Sequence, residues 1–179
     1  MQMTDNDIYS ITKEDSEKGF RLIMDKYGEP IYWHIRRMVV AHDDAQDAVQ
    51  ETFVKAFRSF SSLKEGGSLK AWLYKIATRE ALNSTRSNKI PQSALLQLNE
   101  QTGNIVADSY VDYGDVEAIK LQKAILQLPP KQQAIFNMRY YDDMDYRQIA
   151  EATETTVSTA KVNYHLAKEK IIRYMNSNE

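Results

Sequence analysis

Tyr146-Arg147-Gln148-Ile149-Ala150-Glu151-Ala152 is followed by Thr153-Glu154-Thr155 and then by a second helical run from Thr156 to Tyr174. The first piece reads as a short helix with Ile149 and Ala150 facing inward. The three middle residues are too polar and β-branched to carry a strong helix onward. Thr156, Ser158 and Thr159 are hydroxyl residues of the kind that cap a helix start. Beyond them Val162, Leu166, Ala167, Ile171 and Met175 recur at helical spacing, leaving Lys161, Asn163, His165, Lys168, Lys170 and Arg173 on other faces. A helix, a three-residue turn and a basic second helix form the helix-turn-helix pattern, whose second helix enters the major groove of DNA. From this stretch alone, plain helical packing accounts for the spacing as well as DNA reading does.

Immediately upstream, Val116–Gln127 reads as a helix through Ile119, Ala124, Ile125 and Leu128. Pro129-Pro130 stops it and starts the next, Lys131–Tyr141. Asp142-Asp143-Met144-Asp145 is the turn into the motif. Further back, Ile90–Gly114 has weak periodicity, with Pro and acids that extend a chain, and reads as a linker.

The N-terminal half is also helical in pattern. Met1–Ile11 is polar and is expected to fray. A helix begins near Ser16 with Phe20, Ile23, Met24 and Tyr27 on one face. Gly28-Glu29-Pro30 is expected to interrupt it, with Pro30 opening a new helix through Ile31, Ile35, Met38 and Val39. After a break at His42, Asp43 or Asp44 is the expected cap of a helix. Its apolar face is Ala45, Ala48, Val49, Phe53, Ala56, Phe57 and Phe60, and its polar face is Asp44, Gln46, Asp47, Gln50 and Glu51. Those carboxylates complement the helix macrodipole, and they also suit docking of a basic partner. Ser61–Ser68 is a loop in which Gly66 and Gly67 allow backbone shapes other residues avoid. Ser68 caps the next helix, Leu69 to about Asn88, which buries Trp72, Leu73, Ile76 and Ala77 and exposes Lys70, Lys75, Arg79, Asn83 and Arg86.

The 179-residue chain is 42% hydrophobic and 27% charged, enough to bury a core. Its net charge of −2 does not advertise nucleic-acid binding. The distribution says more: Ser68–Lys89 holds 5 basic residues and 1 acidic, Thr156–Tyr174 holds 4 and 1, and residues 91–115 hold 4 acids and no base. Two locally basic helices on a neutral chain fit DNA contact assisted by a partner, although a solvated face is the commoner fate of such charge. With no cysteine there is no disulfide framework, thiolate metal site or thiol nucleophile. The three histidines are scattered, and no phosphate-binding glycine loop or nucleophile elbow is present, so neither catalytic site, metal nor cofactor is expected. Neither a signal peptide nor a membrane-spanning run is visible, so the expected location is the cytoplasm, with the nucleoid. The fold class is all-α: two small helical domains, 1–90 and 116–179, on a flexible acidic linker, 91–115.

Two stretches together resemble one family. Asp44-Ala45-Gln46-Asp47-Ala48-Val49-Gln50-Glu51-Thr52-Phe53-Val54-Lys55-Ala56-Phe57 is similar to the second conserved region of bacterial RNA polymerase sigma factors. Trp72-Leu73-Tyr74-Lys75-Ile76-Ala77 is similar to the promoter-melting helix that follows it. Leu128-Pro129-Pro130-Lys131-Gln132-Gln133, through Tyr146–Glu151, to Thr159-Ala160-Lys161 resembles the fourth region. Two regions on a short linker resemble the extracytoplasmic-function class.

The resemblance implies a division of labour and a set of partners: core RNA polymerase, through its β′ clamp and β flap, promoter DNA, and in this class often an anti-sigma factor. Asp44, Asp47, Gln50 and Glu51 would dock on the clamp. Ser61, Ser62, Leu63, Lys64, Lys70, Lys75, Arg79 and Arg86 would serve the "minus ten" element, the loop holding an unstacked base. In the upstream "minus thirty-five" element, Ser158, Lys161, Val162 and Asn163 would meet base edges, with Thr159 beside them, and Lys131, Arg147 and Lys168 would meet phosphates. The chain departs from the family pattern at Gln133, Asn163 and Leu166, where basic residues are frequent, at Arg79, where Asn is common, and at Glu154, which replaces the usual turn Gly and suggests an irregular turn. The alternatives are a helix-turn-helix regulator acting without polymerase docking, a helical adaptor, and a hydrolase without a visible site. The regulator leaves the acidic docking face and the glycine loop unexplained.

Overall fold

The computed structural model describes residues 2–87 and 115–177, and every regular element among them is helical. The linker, apart from Asp115, and the side chain of Arg86 lie outside the described residues.

The N-terminal half has four helices: α1 (Asp5–Glu14), α2 (Ser16–Met38), α3 (His42–Ser59) and, after a 3-10 turn at Phe60–Ser62, α4 (Leu69–Ser87). α1 replaces the expected frayed end. Thr4 and Asp7 cap it reciprocally, satisfying two of the backbone N–H groups a helix start leaves orphaned. Ile8 and Thr12 are buried, and Asp5 accepts hydrogen bonds from Lys26 Nζ (2.6 Å) and Tyr27 Oη (2.7 Å). The approach of α1 to α2 requires Gly19, where a Cβ would lie 2.1 Å from Thr12 Oγ1.

Pro30 does not split α2, contrary to the sequence reading. An internal proline costs a helix about 3 kcal/mol. Ile23, Tyr27, Ile31, Ile35 and Met38, all buried on one continuous stripe, each contribute roughly 1.5–3 kcal/mol, so tertiary burial wins. α3 also differs in detail: Ala41 stands at its cap without a side-chain hydrogen bond, and Asp43 and Asp44 lie in its first turn. Ser68 does cap α4, its Oγ accepting from Ala71 N at 3.0 Å.

The C-terminal half comprises α5 (Val116–Leu126), α6 (Pro130–Tyr140), α7 (Tyr146–Thr153) and α8 (Val157–Asn176). Ala124, Ile125, Leu128, Phe136, Ala167 and Ile171 form a small core of its own. The larger core is shared between the halves. It runs from Ile8 and Ile23 through Leu73, Tyr74 and Ala77 to Ala134, Met138, Met144, Ile149 and Ala152. α4 packs on α7, and α2 on α6.

A polar cluster is buried at this junction. His34, fully buried, has Nε2 2.9 Å from Thr78 Oγ1 and Nδ1 3.7 Å from Asp142 Oδ2. Tyr74 Oη donates to Asp142 Oδ1 at 2.9 Å. Burial, then the Arg37 charge, push the His34 imidazole down to about 3. Burial pushes the Asp142 carboxyl up, against the Tyr74 hydrogen bond and the charges of Arg37 and Lys70. In the unfolded chain His34 takes a proton near pH ~6.5, so below that value the unfolded state binds more protons and stability falls as pH falls. Between pH 7 and pH 5 the expected loss is about 2 kcal/mol, most of it below pH ~6.5. Asp142, whose carboxyl burial pushes up, works in the opposite direction. Urea unfolding at the two pH values checks this: unchanged stability would contradict a neutral buried His34.

Candidate nucleic-acid interface

On α3, Asp47, Gln50 and Glu51 are exposed and Asp44 is half-buried. Asp47 and Gln50 edge an open groove of about 980 Å³ between α2 and α3, whose apolar lining includes Met24, Val49, Phe53, Val54 and Phe57. Sequence reasoning placed Phe57 in the core, but it is 55% exposed, and Met24, also assigned inward, is 52% exposed. Buried Thr52, its hydroxyl bonded to Ala48 O at 2.7 Å, takes the inward position instead. One signal was available: the apolar arc of α3 is wider than burial against two helices needs. Glu51 lies 3.8 Å from Lys55 Nζ, which also pairs with Glu80 at 2.6 Å.

The loop after α3 is held from inside. Leu63 is buried, so its side chain props the loop and is not available to a base, which corrects the expectation for that residue. Trp72 Nε1 donates to Ser62 Oγ at 3.1 Å, and Tyr9 Oη donates to Leu63 O at 3.4 Å. Gly66 has φ +78°, the left-handed region that a glycine enters without strain. Ser61, Ser62 and Lys64 stay exposed at the rim.

The α4 cations whose side chains are described are not free. Lys70 Nζ donates to Asp142 O at 2.7 Å, Lys75 Nζ lies 3.3 Å from Glu154 Oε1, and Arg79 Nη2 donates to that same oxygen. Both partner residues, Asp142 and Glu154, belong to the turns flanking α7. The structure thus brings the expected "minus ten" cations and the helix-turn-helix together, which the sequence did not foretell.

The helix-turn-helix itself is regular. Asp145 and Gln148 form a reciprocal capping box on α7, and Thr156 Oγ1 accepts from Thr159 N at 3.1 Å at the start of α8. Glu154 does not make the turn irregular. It adopts φ 56° and ψ 43°, the left-handed conformation a Gly would take, and Thr155 N donates to Ala150 O at 2.9 Å. The departure from Gly costs roughly 1–2 kcal/mol of backbone strain.

On α8, Ser158, Thr159, Lys161 and Val162 are exposed, as are Lys168, Lys131 on α6 and Arg147 on α7. Val162 at 57% and Leu166 at 41% exposure lie outside the core expected from the spacing; Ala160, Ala167 and Ile171 carry the burial. Asn163 is half-buried: its Oδ1 accepts from Gln132 Nε2 at 3.3 Å and its Nδ2 donates to Thr159 O at 2.9 Å. Lys161 Nζ sits 5.7 Å from the Tyr146 ring centroid, and Lys168 Nζ 5.7 Å from that of Tyr164. Among the described residues no group of side chains could hold a metal ion, and no helix is long and apolar enough to cross a membrane.

Comparison with known proteins agrees with this layout. Residues 23–90 match the model of sigma-70 region 2, and residues 118–171 match that of sigma-70 region 4. The chain is 27% identical over 168 residues to the ECF RNA polymerase sigma factor SigW of Bacillus subtilis, covering 89% of this chain and 90% of the relative. It is 25% identical over 179 residues to the ECF RNA polymerase sigma-E factor of Haemophilus influenzae, covering 95% and 94%. Its fold is similar to that of CnrH in complex with the cytosolic domain of CnrY, with a TM-score of 0.72, 16% identity and coverage of 98% and 99%. It is also similar to the sigma factor RpoE in complex with the anti-sigma factor NepR from Bartonella quintana, with a TM-score of 0.63, 21% identity and coverage of 90% and 99%. With both regions matched in order and relatives aligned over nearly the whole length, the chain belongs to the sigma-70 family of bacterial RNA polymerase sigma factors, in its extracytoplasmic-function class.

Proposed function

We propose that this chain binds core RNA polymerase and directs it to promoters, residues 1–90 docking and melting, residues 116–179 reading the upstream element. The observation that carries the reading is one structural unit: the acid-edged apolar groove on α3, the glycine loop, and Lys70, Lys75 and Arg79 of α4 in succession. Asp47 and Gln50 give the groove a polar rim that suits the β′ clamp, Asp44 and Glu51 extend that polar surface along α3, and the apolar floor supplies area. Ser61, Ser62 and Lys64 take the unstacked "minus ten" base, and Lys70, Lys75, Arg79 and Arg86 hold the strand backbone. Chemistry stays with the polymerase; the chain contributes recognition. An anti-sigma partner, of the kind bound to the similar solved structures, competes for these surfaces.

Upstream, the exposed N-terminal turns of α8 enter the major groove. Ser158, Thr159, Lys161 and Val162 face the bases, and Lys131, Arg147 and Lys168 the phosphates. Asn163 reads a base only after releasing Gln132. Lys161→Ala is expected to lower transcription from promoters that need the upstream element by the ~1–3 kcal/mol of a good base contact. Unchanged transcription on every such promoter would remove Lys161 from the interface. The reading as a whole is tested by co-purification with bacterial core polymerase followed by promoter-dependent transcription in vitro. Stable association with specific initiation is the expected result. Tight duplex binding without polymerase association would instead favour a conventional regulator.

A further inference from the structure

We propose that α1 is a specificity element: Tyr9 braces the loop at residues 61–68, and that brace sets how sharply the loop discriminates among bases. The loop's base-holding role is the one proposed above. Tyr9 is a positioning residue, which acts on DNA only through the backbone it holds.

Two contacts tie Tyr9 to the loop. Its hydroxyl donates to Leu63 O at 3.4 Å, and its ring centroid lies 5.5 Å from that of Phe60, in the turn that leads into the loop. Phe60 also meets Phe20 at 5.9 Å and Trp72 at 6.0 Å, both edge-on. Trp72 Nε1 in turn donates to Ser62 Oγ. Ser62 and Leu63 are therefore gripped by two helices, α4 through Trp72 and α1 through Tyr9, with the Leu63 side chain buried beneath. Lys64, Glu65 and Gly66 are exposed, and a Cβ at Gly66 would meet nothing within 4 Å. The bond from Gly67 N to Lys64 O, 2.9 Å, closes this tip on itself. The tip takes its position from the grip on Ser62 and Leu63.

α1 is itself held firmly enough to serve as a brace. Ile8 and Thr12, which flank Tyr9 in sequence, are buried, and Gly19 admits Thr12 against α2. The Thr4–Asp7 capping box fixes the first turn, and Lys26 and Tyr27 hold Asp5. α1 ends at Glu14, before the match to region 2 begins at residue 23, so its grip on the loop is additional to that unit. The consequence for recognition is physical. A loop free to re-pack accommodates wrong partners along with the right one, whereas a loop held by packing and hydrogen bonds does not adapt to a mismatched base.

The test uses the full chain with core RNA polymerase, on one cognate promoter and its single-base variants across the "minus ten" element. Base preference is a ratio of initiation rates on two promoters from one protein preparation, so the folded fraction cancels. Tyr9→Phe keeps the ring and removes the hydroxyl, and is expected to lower that ratio about threefold. Tyr9→Ala removes both and is expected to lower it about tenfold. The α2–α3 groove is lined by residues of α2 and α3 alone, so affinity for core polymerase should stay within about twofold of wild type. Amide exchange reads the brace directly: the Gly67 N–H should exchange about threefold faster in Tyr9→Phe, with α3 amides unmoved. Base preference unchanged in both variants, a uniform loss on every promoter, or Gly67 exchange unmoved in Tyr9→Phe would each overturn the inference and leave the sigma-factor reading intact. A wild-type chain that initiates from no promoter would remove the sigma-factor reading, and the specificity role with it.

Discussion

Asp47→Lys is expected to weaken binding to core RNA polymerase by about a hundredfold, since placing like charges together across an interface costs several kcal/mol. Asp47 is exposed and edges the α2–α3 groove beside Gln50, with Phe57 and Val54 on the floor. Reversal changes the sign of the rim at that place and leaves the floor intact. Asp47 lies beyond the first turn of α3, where the macrodipole effect has largely decayed, so helicity should not change. Circular dichroism and a polymerase affinity measured at two salt concentrations check both halves of the statement. Wild-type affinity at low salt would remove Asp47 from the docking surface.

Tyr74→Ala should have the largest effect on stability, about 3–5 kcal/mol for emptying a buried aromatic site. Tyr74 is fully buried in α4, its ring centroid 5.0 Å from that of His34 and its hydroxyl on Asp142. Asp142 Oδ2 already lacks a hydrogen-bond partner, so losing the Tyr74 hydroxyl leaves both carboxylate oxygens without one. Tyr74→Phe keeps the ring and isolates that polar part, expected at about 1–3 kcal/mol. Urea unfolding of the pair separates the two contributions. If Phe and Ala cost the same, the ring does not pack as the structure places it.

The helices were legible in the sequence wherever their signals are local. The Thr156 cap, the Pro129-Pro130 junction and the Ser68 cap all lie where residue type places them, because each depends on groups within three or four residues. α1 is not legible locally, because its capping box, Thr4 with Asp7, lies in a polar stretch that resembles a frayed end, and its anchor, Lys26 and Tyr27 on Asp5, lies more than twenty residues away. Pro30 was given its local meaning, which the buried stripe of α2 overrides. Phe57 and Leu63 exchanged expectations: helical periodicity sent the first inward, and loop context sent the second outward. Only the arrangement of neighbouring helices decides which side of an apolar arc is covered.

By itself the sequence determined the all-helical class, the order of the helices, the helix-turn-helix and its polar surface, and the family resemblance that fixes the function. These follow from periodicity, capping and motif order, which are written within short windows. The tertiary structure alone decided that the halves share a core through α4 and α7, that His34 is held neutral between them, and that Glu154 meets Lys75 and Arg79. Those pairings join residues far apart in the chain: His34 and Thr78 are 44 positions apart, and Arg79 and Glu154 are 75. No local pattern encodes them, because they arise from the burial of surfaces that each half leaves apolar.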